Sequence, residues 1–393
     1  MNIGIISINA HTKVLNFASP LHSYAFQKFL EMHGYEDTVI IDYKPVYYGK
    51  FDPKYPFIYY LKNKNAEKDP KKRKALLKKW FKLFWARRKR FNKFQKFIDT
   101  YYKTTNKCYS AKILDKEDVE EGIDCYICAT DVIWKCNKNT KFDKGFFLAC
   151  DTMKDKAKIA YAASRGPSVY SPEDEKKFLS YIKDIDHISV REKSLGDYIA
   201  SISDIPTTHV LDPVLLHKPE FYDHITKHPK KKKKGYVLVY IVMEKAKKSL
   251  KLAYEFAKEH DLEVIELSDY LENRHIPKGT THDVIYDIGV EEWLGYMKDA
   301  EYIFTNSFHA SCFSILFNKQ FFVDKRSGDK IDSLLELFDL TDRRMVNCFE
   351  KNKFIGTDID YGPINQKREA LMKTSTDFIL NALKDVEEKR KAK

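Results

Sequence analysis

The feature that most constrains the fold of this chain is an alternation of strand-like and helical segments along nearly its whole length. Short runs of β-branched and aromatic residues, such as 3–8, 124–129 and 236–242, alternate with segments that carry one apolar face at helical spacing. This pattern is typical of α/β proteins built on mostly parallel sheets. At 393 residues the chain exceeds the usual size of one hydrophobic core, so we expect two domains.

We predict that residues 1–217 form an N-terminal α/β domain on the acceptor side, with a helical insertion at about 62–100. A lysine-rich linker follows at 218–234, and residues 235–393 form a C-terminal α/β domain on the donor side that ends in a helix. Two Rossmann-like domains facing a cleft is the architecture of B-type glycosyltransferases. The pattern alone does not distinguish this arrangement from two stacked Rossmann units.

The net charge of +12 is concentrated in the insertion. Residues 71–98 contain thirteen Lys or Arg and no Asp or Glu, interleaved with aromatic and aliphatic residues at helical spacing. One interpretation is a helix or helix pair docked on the domain with its lysines solvated. The other is a surface for anionic lipid head groups. No recognised nucleic-acid module accompanies the charge, so we expect no nucleic-acid partner.

Several other classes of protein are not indicated by the sequence. No apolar run reaches the roughly eighteen residues of a membrane span, and residues 1–13 read as a first strand rather than a signal peptide. Seven cysteines without framework spacing indicate a reducing cytosol. Cys125 and Cys128 lie in a strand-like run and read as buried, and His224 and His228 read as linker residues. We therefore expect no metal site.

A histidine and three small polar residues stand where a strand-like run changes into a helical one. Residues 302–304 are followed by Thr305, Asn306 and Ser307, and then by His309. In open α/β sheets ligands bind beyond the carboxyl ends of the strands, and the first turn of a helix favours anions. These side chains are candidates for binding an anionic donor, and His309 could also donate a proton. Alternatively, Ser307 only caps the helix and His309 bonds a neighbouring loop.

Cations follow two other predicted strands. Arg191 comes directly after the strand-like run 187–190, and arginine suits bidentate recognition of carboxylate or phosphate. The run 321–323 is followed by a loop that contains Lys325, Arg326 and Lys330. If these strand ends meet at one edge, the set suits a small anionic substrate.

In the order of its motifs the chain resembles the polysaccharide pyruvyl transferases. Asn16-Phe-Ala18 with His22-Ser-Tyr-Ala25 is similar to the family's N-terminal Asn-x-Gly-x-x-Leu-Gln region. Ala129-Thr-Asp131-Val-Ile-Trp134 is similar to its Gly-Ser-Asp-x-x-Trp element. Further matches are Tyr161–Ser164, Ser189–Ser194, Leu211–Pro213 and Asp299–His309.

The resemblance implies a B-type glycosyltransferase-like fold and transfer of a pyruvyl group from phosphoenolpyruvate to a saccharide, with no cofactor. It implies Arg191 as a donor-binding arginine, His309 as general acid or phosphate ligand, and Lys330 as the late basic residue, for which Lys325 and Arg326 compete. Better-studied members of the family have Arg-x-His where this chain has Ser307-Phe-His309, so one donor-binding cation is missing. Arg165 is one conceivable replacement.

Acceptor-side residues are expected near the ends of first-domain strands. Asn16 belongs to the family-like N-terminal motif, and Asp131 and Trp134 follow a predicted strand. A carboxylate can bond sugar hydroxyls or act as a base, and an indole can stack on a pyranose ring. The alternative is a loop-capping Asp131 and a buried Trp134.

The lead prediction is therefore a ketal-forming transferase of cell-surface polysaccharide biosynthesis. Its acceptor would be a nucleotide- or lipid-linked saccharide, and its location cytoplasmic or peripheral at the inner face of the cytoplasmic membrane. The alternatives are a glycosyltransferase that uses a sugar nucleotide on the same fold and a non-catalytic saccharide-binding relative.

Overall fold

Two parallel β-sheets with helices packed around them organise the chain. The structure, a computed structural model, describes residues 1–12, 14–49, 51–62, 67–231, 234–242, 247–268, 281–325 and 328–392. Arg326, one of the predicted donor-binding residues, lies outside these residues.

The first sheet has six strands in the order β2-β1-β3-β4-β5-β6, all paired in parallel. Its central strands are apolar on both faces because helices cover both sides, as parallel sheets require. The strands are β1 (Ile3–Ile6), β2 (Thr38–Ile40), β3 (Cys125–Ala129), β4 (Ala157–Ala163), β5 (His187–Val190) and β6 (Thr208–His209). Cys125 and Cys128 are fully buried in β3, on opposite faces of the sheet, because helices cover both faces.

The second sheet has five parallel strands in the order β11-β10-β7-β8-β9. They are β7 (Tyr236–Tyr240), β8 (Glu263–Leu267), β9 (His282–Ile285), β10 (Tyr302–Thr305) and β11 (Gln320–Val323). A small antiparallel pair, β12 (Phe349–Glu350) and β13 (Lys353–Phe354), lies outside both sheets. The chain thus has the predicted α/β fold class, with two Rossmann-like domains.

Helices connect and cover the strands. Those of the first domain are α1 (Ala18–Met32), α2 (Pro56–Lys62), α3 (Pro70–Lys82), α4 (Phe84–Tyr101), α5 (Ala111–Leu114), α6 (Pro172–Ile182) and α7 (Lys193–Ile202). Those of the second are α8 (Lys247–Glu259), α9 (Val290–Asp299), α10 (Phe308–Leu316), α11 (Lys330–Leu337) and α12 (Met345–Cys348), and α13 (Tyr361–Lys391) closes the chain. Among the described residues, every helix is too short or too polar to cross a membrane.

The basic insertion forms α3 and α4, preceded by the short helix α2, and its two long helices differ in burial. Helix α3 has no buried residue. Helix α4 buries Arg87, Arg90, Phe94 and Phe97 and contacts α9 of the second domain. Arg90 donates to the carbonyls of Leu15 and Tyr286, so one buried cation joins the two domains.

The two domains share hydrophobic contacts and the terminal helix. One cluster of buried residues includes Phe17 and Phe94 of the first domain with Tyr240 and Trp293 of the second. Helix α13 starts on the second domain, but Ile379, Ala382, Leu383 and Val386 pack on the first sheet. The sequence-based boundary at 235–393 places this helix wholly in the second domain, whereas its second half is structurally part of the first.

Candidate functional site

Loops at the carboxyl ends of both sheets enclose a cavity of about 330 Å³ between the domains. Its walls include Asn16 and Asp131 from the first domain, and Ser307, His309 and Lys330 from the second. The site lies where ligands bind in open α/β sheets, and its volume is at the lower end of the range for small-molecule pockets.

Arg191 lies at the centre of the polar groups beside this cavity. Its position follows from β5, since the strand ends at Val190 and the Arg191 N–H still bonds to the carbonyl of Ala163. The guanidinium donates from Nε to Glu192 at 2.9 Å and from Nη1 to Asp212 at 3.0 Å. Burial by itself lowers the pKa of Arg191, but Glu192 and Asp212 outweigh it and raise the pKa above its usual range. The side chain is therefore a fixed, permanent cation.

Asp212 connects Arg191 to a pair of histidines. It follows β6 and begins a short 3₁₀ turn, where its Oδ1 accepts from the N–H of Val214. Its Oδ2 lies 3.4 Å from Nε2 of His309. Although burial raises the pKa of Asp212, His309 and Arg191 hold it well below its usual range. This carboxylate is ionised and can fix the orientation of the His309 ring.

His22, on α1, stacks on His309 with ring centroids 5.6 Å apart. The side chain is completely buried, and burial lowers the pKa of His22 to about 4, assisted by the neighbouring His309. At neutral pH His22 is therefore uncharged and leaves the positive charge of the site to other groups.

Asp131 is held by a strained backbone at the end of β3. Thr130 and Asp131 have φ angles of 48° and 59°, in the left-handed region that non-glycine residues rarely adopt and a β-branched residue least of all. Thr130 Oγ1 donates to the carbonyl of Ala162, itself at φ 49° beside the bulge in β4. Such strain clusters at functional sites because surrounding contacts must compensate for it.

Asp131 is a carboxylate among cations. Its Oδ1 lies 3.6 Å from Nη2 of Arg191. Burial raises the pKa of Asp131, but the charges of Lys330 and Arg191 outweigh burial and hold it well below its usual range. It is consequently ionised, and its proton affinity depends on how fully those two cations are engaged.

Phe308 lies against two cations at the cavity, Arg191 and Lys330. The guanidinium carbon of Arg191 lies 4.2 Å from the centre of its ring, and Nζ of Lys330 lies 5.8 Å away. Both distances are within cation–π range. Helix α10 begins at Phe308, with Ser307 as its N-cap accepting from the N–H of Ala310, so the start of the helix fixes this ring.

Four polar atoms at this place are buried without a hydrogen-bond partner among the described residues. They are Nε2 of His22, Oδ1 of Asp131, Nη2 of Arg191 and Nε2 of His309. Buried polar groups in folded proteins nearly always have partners, so each exception calls for an explanation. Asp131 Oδ1 and Arg191 Nη2 lie 3.6 Å from each other, and His309 Nε2 lies 3.4 Å from Asp212, so each is within reach of a polar ligand atom or an ordered water bound at this place.

Two of the predicted donor-binding residues do not face the cavity. Thr305 Oγ1 donates to the carbonyl of Tyr240, and Asn306 bonds through both amide atoms to the backbone of Val242. These bonds join the ends of β10 and β7. Both side chains thus shape the site from behind rather than line it, whereas Ser307 lines it directly.

The remaining predicted residues are spread more widely. Trp134 is fully buried, stacks on Phe147 and donates to the carbonyl of Phe146, so it has no ring face left for a sugar. Asn16 lines the cavity and accepts from the N–H of Ala18. Lys325 is exposed and does not line the cavity. Arg165 stacks on Tyr198, 4.3 Å from the ring centre.

The sequence-based prediction did not name His22, Asp212 or Phe308 as site residues, although all three lie inside the motifs that it quoted. A signal for Asp212 was present, because an Asp-Pro pair directly after a strand-like run indicates a turn that holds its carboxylate at the strand end. For His22 and Phe308, spacing alone does not distinguish a helical core position from a site position.

Solved structures with a similar fold include enzymes that act on sugar nucleotides. The UDP-N-acetylglucosamine 2-epimerase from Rickettsia bellii is 13% identical, with a TM-score of 0.48 over 96% of this chain and 98% of that one. The Neisseria meningitidis UDP-GlcNAc 2-epimerase is 10% identical, with a TM-score of 0.48 over 95% and 99%. The calicheamicin glycosyltransferase is 8% identical, with a TM-score of 0.48 over 98% of each chain.

Comparison of sequences gives the family. No curated protein sequence matches this chain. A sequence model of the family described as polysaccharide pyruvyl transferase matches residues 21–323. The matched range contains His22, Asp131, Arg191, Asp212 and His309, which form the polar cluster beside the cavity. The chain therefore belongs to the polysaccharide pyruvyl transferase family.

Proposed function

We propose that this protein transfers the pyruvyl group of phosphoenolpyruvate to a nucleotide- or lipid-linked saccharide and forms a ketal in the cavity between the two domains. The observation that carries the proposal is the group of four unsatisfied polar atoms on His22, Asp131, Arg191 and His309. The family match supports a pyruvyl transfer reaction.

The donor fits the charges of the cavity. Glu192 and Asp212 hold the Arg191 guanidinium in place through Nε and Nη1, and Nη2, whose nearest carboxylate is that of Asp131 at 3.6 Å, can donate to an anionic group such as the donor carboxylate. Lys330 and the first-turn N–H groups of α10 suit a phosphate. When an anionic donor takes up these positive charges, the pKa of Asp131 rises from its depressed value, and its carboxylate becomes a better base for a sugar hydroxyl.

The proposed chemistry needs one acid and one base. His309 protonates the methylene carbon of the donor, and the adjacent carbon becomes electrophilic. A sugar hydroxyl attacks this carbon while Asp131 takes its proton. The bond to phosphate breaks, and a second hydroxyl attacks the same carbon and closes the ketal. One hydroxyl proton ends on the new methyl group, and the other leaves with phosphate, so the step needs no oxidant or reductant.

The test measures phosphate release from phosphoenolpyruvate in the presence of candidate acceptors. His309→Ala should lower kcat by about a hundredfold or more, as loss of a general acid does. Arg191→Lys keeps the charge but loses the fork geometry, so it should raise KM for the donor more than it lowers kcat. Asp131→Asn should lower kcat, and Arg88→Ala, a change of an arginine on α4 away from the cavity, should alter neither constant.

Thermal shifts with single ligands separate the alternatives. Stabilisation by phosphoenolpyruvate that is lost in Arg191→Lys supports the proposal. Stabilisation by sugar nucleotides alone, with no phosphate release from phosphoenolpyruvate, would replace pyruvyl transfer by glycosyl transfer. The serine at position 307, where the resemblance implies a donor-binding arginine, is compatible with that alternative. Stabilisation by oligosaccharides alone would indicate a binding protein.

A further inference from the structure

Three side chains with metal-binding atoms converge at the edge of the first sheet. The carboxylate of Asp42 lies 2.6 Å from Nε2 of His11, and the thiol of Cys108 lies 3.6 Å from the same nitrogen. All three ligand atoms lie within 4.8 Å of one another. A carboxylate oxygen, an imidazole nitrogen and a sulfur, three atoms of the kinds that bind zinc, are thus grouped at one place.

We propose that His11, Asp42 and Cys108 bind a divalent zinc ion that holds one wall of the cavity in place. Imidazole nitrogen, thiolate sulfur and carboxylate oxygen are all established zinc ligands, and three protein ligands suffice when a fourth position is left open. The thiolate distinguishes this set from sites for magnesium or calcium, which prefer oxygen ligands only.

The distances are close to those of an assembled site. Zinc bonds of about 2.0–2.3 Å in tetrahedral geometry separate neighbouring ligand atoms by roughly 3.3–3.6 Å. The distance between His11 and Cys108 already has this value. The distance between His11 and Asp42 is shorter and must open by less than about 1 Å to admit the ion.

The backbone holds two of the ligands side by side. Tyr109, next to Cys108, donates its N–H to the carbonyl of Asp42 at 2.7 Å, and Lys44 donates its N–H to the carbonyl of Tyr109 at 2.8 Å. The Lys44 ammonium, the nearby charge that opposes a cation, lies over the Tyr48 ring, 5.2 Å from its centre. The site is thus partly built before any ion binds.

His11 connects the site to the cavity. It belongs to the loop between β1 and α1, and the continuation of that loop through Val14, Leu15 and Asn16 lines the cavity. An ion bound to His11, Asp42 and Cys108 would tie this loop to the end of β2. The zinc site is independent of the donor, so it does not rest on the proposed reaction.

Zinc binding is measured on untagged, metal-stripped protein by equilibrium dialysis and by cobalt substitution. We expect about one equivalent of zinc, and a visible thiolate-to-cobalt band. Cys108→Ser should abolish the band, and both Cys108→Ser and His11→Ala should weaken binding by at least tenfold, since loss of even an outer-shell partner costs 10- to 100-fold. Cys136→Ser removes another thiol that is not fully buried and is the matched control.

A second measurement does not depend on affinity. Alkylation of individual cysteines is measured by peptide mass spectrometry. Zinc should slow the alkylation of Cys108 and leave that of Cys136 in the same sample unchanged. Well under one equivalent of bound zinc, or equal binding by wild type and Cys108→Ser, would overturn the proposal. In that case His11 and Asp42 form only a hydrogen bond.

Discussion

At the scale of single residues, the site depends on which groups carry charge inside a buried cluster. Asp131, Asp212, Glu192 and Arg191 lie within one network of ion pairs. His22 is the exception, since its buried ring is uncharged at neutral pH. A second buried cation beside His309 would compete for Asp212, so an uncharged His22 leaves that carboxylate to orient His309.

Burial of uncharged His22 predicts a specific pH dependence of stability. The pKa is about 4 in the folded protein and 6.5 in the unfolded chain, so acid favours the unfolded chain, which binds the proton more readily. The contribution of His22 is complete above pH 6.5 and is lost as the pH falls toward 4. Between pH 7.5 and pH 5, protonation of His22 should lower the free energy of unfolding of wild type by about 2 kcal/mol. His22→Gln lacks the titrating ring and should not show this loss. Urea denaturation at both pH values measures the difference.

The same experiment contains its own reference points. At pH 7.5 and pH 8.5 the ring is neutral in both states, so the offset between wild type and His22→Gln should be the same at the two values. His217, whose pKa burial also lowers to about 4, offers a parallel variant, His217→Gln. The lowered pKa values of Asp131 and Asp212 change the stability of the protein only below about pH 4, outside the pH range of this comparison. Parallel stability curves from pH 5 to 7.5 would contradict the interpretation of His22.

Sequence reasoning named some of the residues that follow strand ends, and it missed His22 and Phe308, whose positions depend on packing. Arg191 and His309 were predictable, because a carboxyl end of a parallel strand is a ligand site whatever surrounds it. Trp134 was ambiguous, because a tryptophan two or three residues past a strand can turn toward the cleft or the core. Phe147 and the carbonyl of Phe146 place it in the core.

At the scale of elements, the start of α10 combines capping with ligand binding. Ser307 satisfies one N–H of the first turn and also lines the cavity. The resemblance to the family implies an arginine at this position in better-studied members, and this chain has a helix cap there instead. Of the other cations at the cavity, Arg191 and Lys330 lie over the ring of Phe308, and Lys135 also lines the wall.

Restoring the arginine should therefore exchange stability for donor affinity. Ser307→Arg removes the cap, at a cost of about 1 kcal/mol of stability, and adds a cation to the cavity wall. Isothermal titration with phosphoenolpyruvate should show binding at least several times tighter than in wild type, and thermal denaturation should show a lower Tm. Ser307→Ala loses the same cap without the charge and serves as the control. Weaker donor binding in Ser307→Arg than in Ser307→Ala would show that the donor does not contact this position.

At the scale of the whole molecule, sequence patterns predicted the two sheets but not how they are held together. The alternation of strands and helices is local, so it can be read from the sequence. The clamp formed by Arg90, between the carbonyls of Leu15 and Tyr286, depends on contacts that are 75 and 196 residues apart in the sequence. The packing of α13 could not be predicted either, because its polar, lysine-rich sequence does not indicate which of the two sheets its apolar face covers.

The structure also divides the basic insertion into two parts with different roles. Helix α4 uses its cations within the protein: Lys89 and Lys93 pair with Asp287 and Glu292 of the second domain, and Arg87 donates to the carbonyl of Pro53. Helix α3 faces solvent. Two aromatic side chains nearby are exposed: Phe81, near the end of α3, is 70% exposed, and Trp85, at the start of α4, is 73% exposed. Any membrane contact of the insertion therefore belongs to α3 and the start of α4.

We predict that this surface binds anionic membranes. Each lysine near such a surface contributes about 1 kcal/mol, so changing the exposed Lys71, Lys72, Lys74 and Lys78 to glutamine should abolish sedimentation with anionic liposomes. Phe81→Ser with Trp85→Ser should leave weaker and more salt-sensitive binding, because only charge attraction remains. Four exposed lysines of α13, changed to glutamine, remove the same charge elsewhere and should leave binding intact; they are Lys373, Lys384, Lys389 and Lys391. Equal sedimentation of wild type with neutral and anionic liposomes would exclude a membrane role for α3.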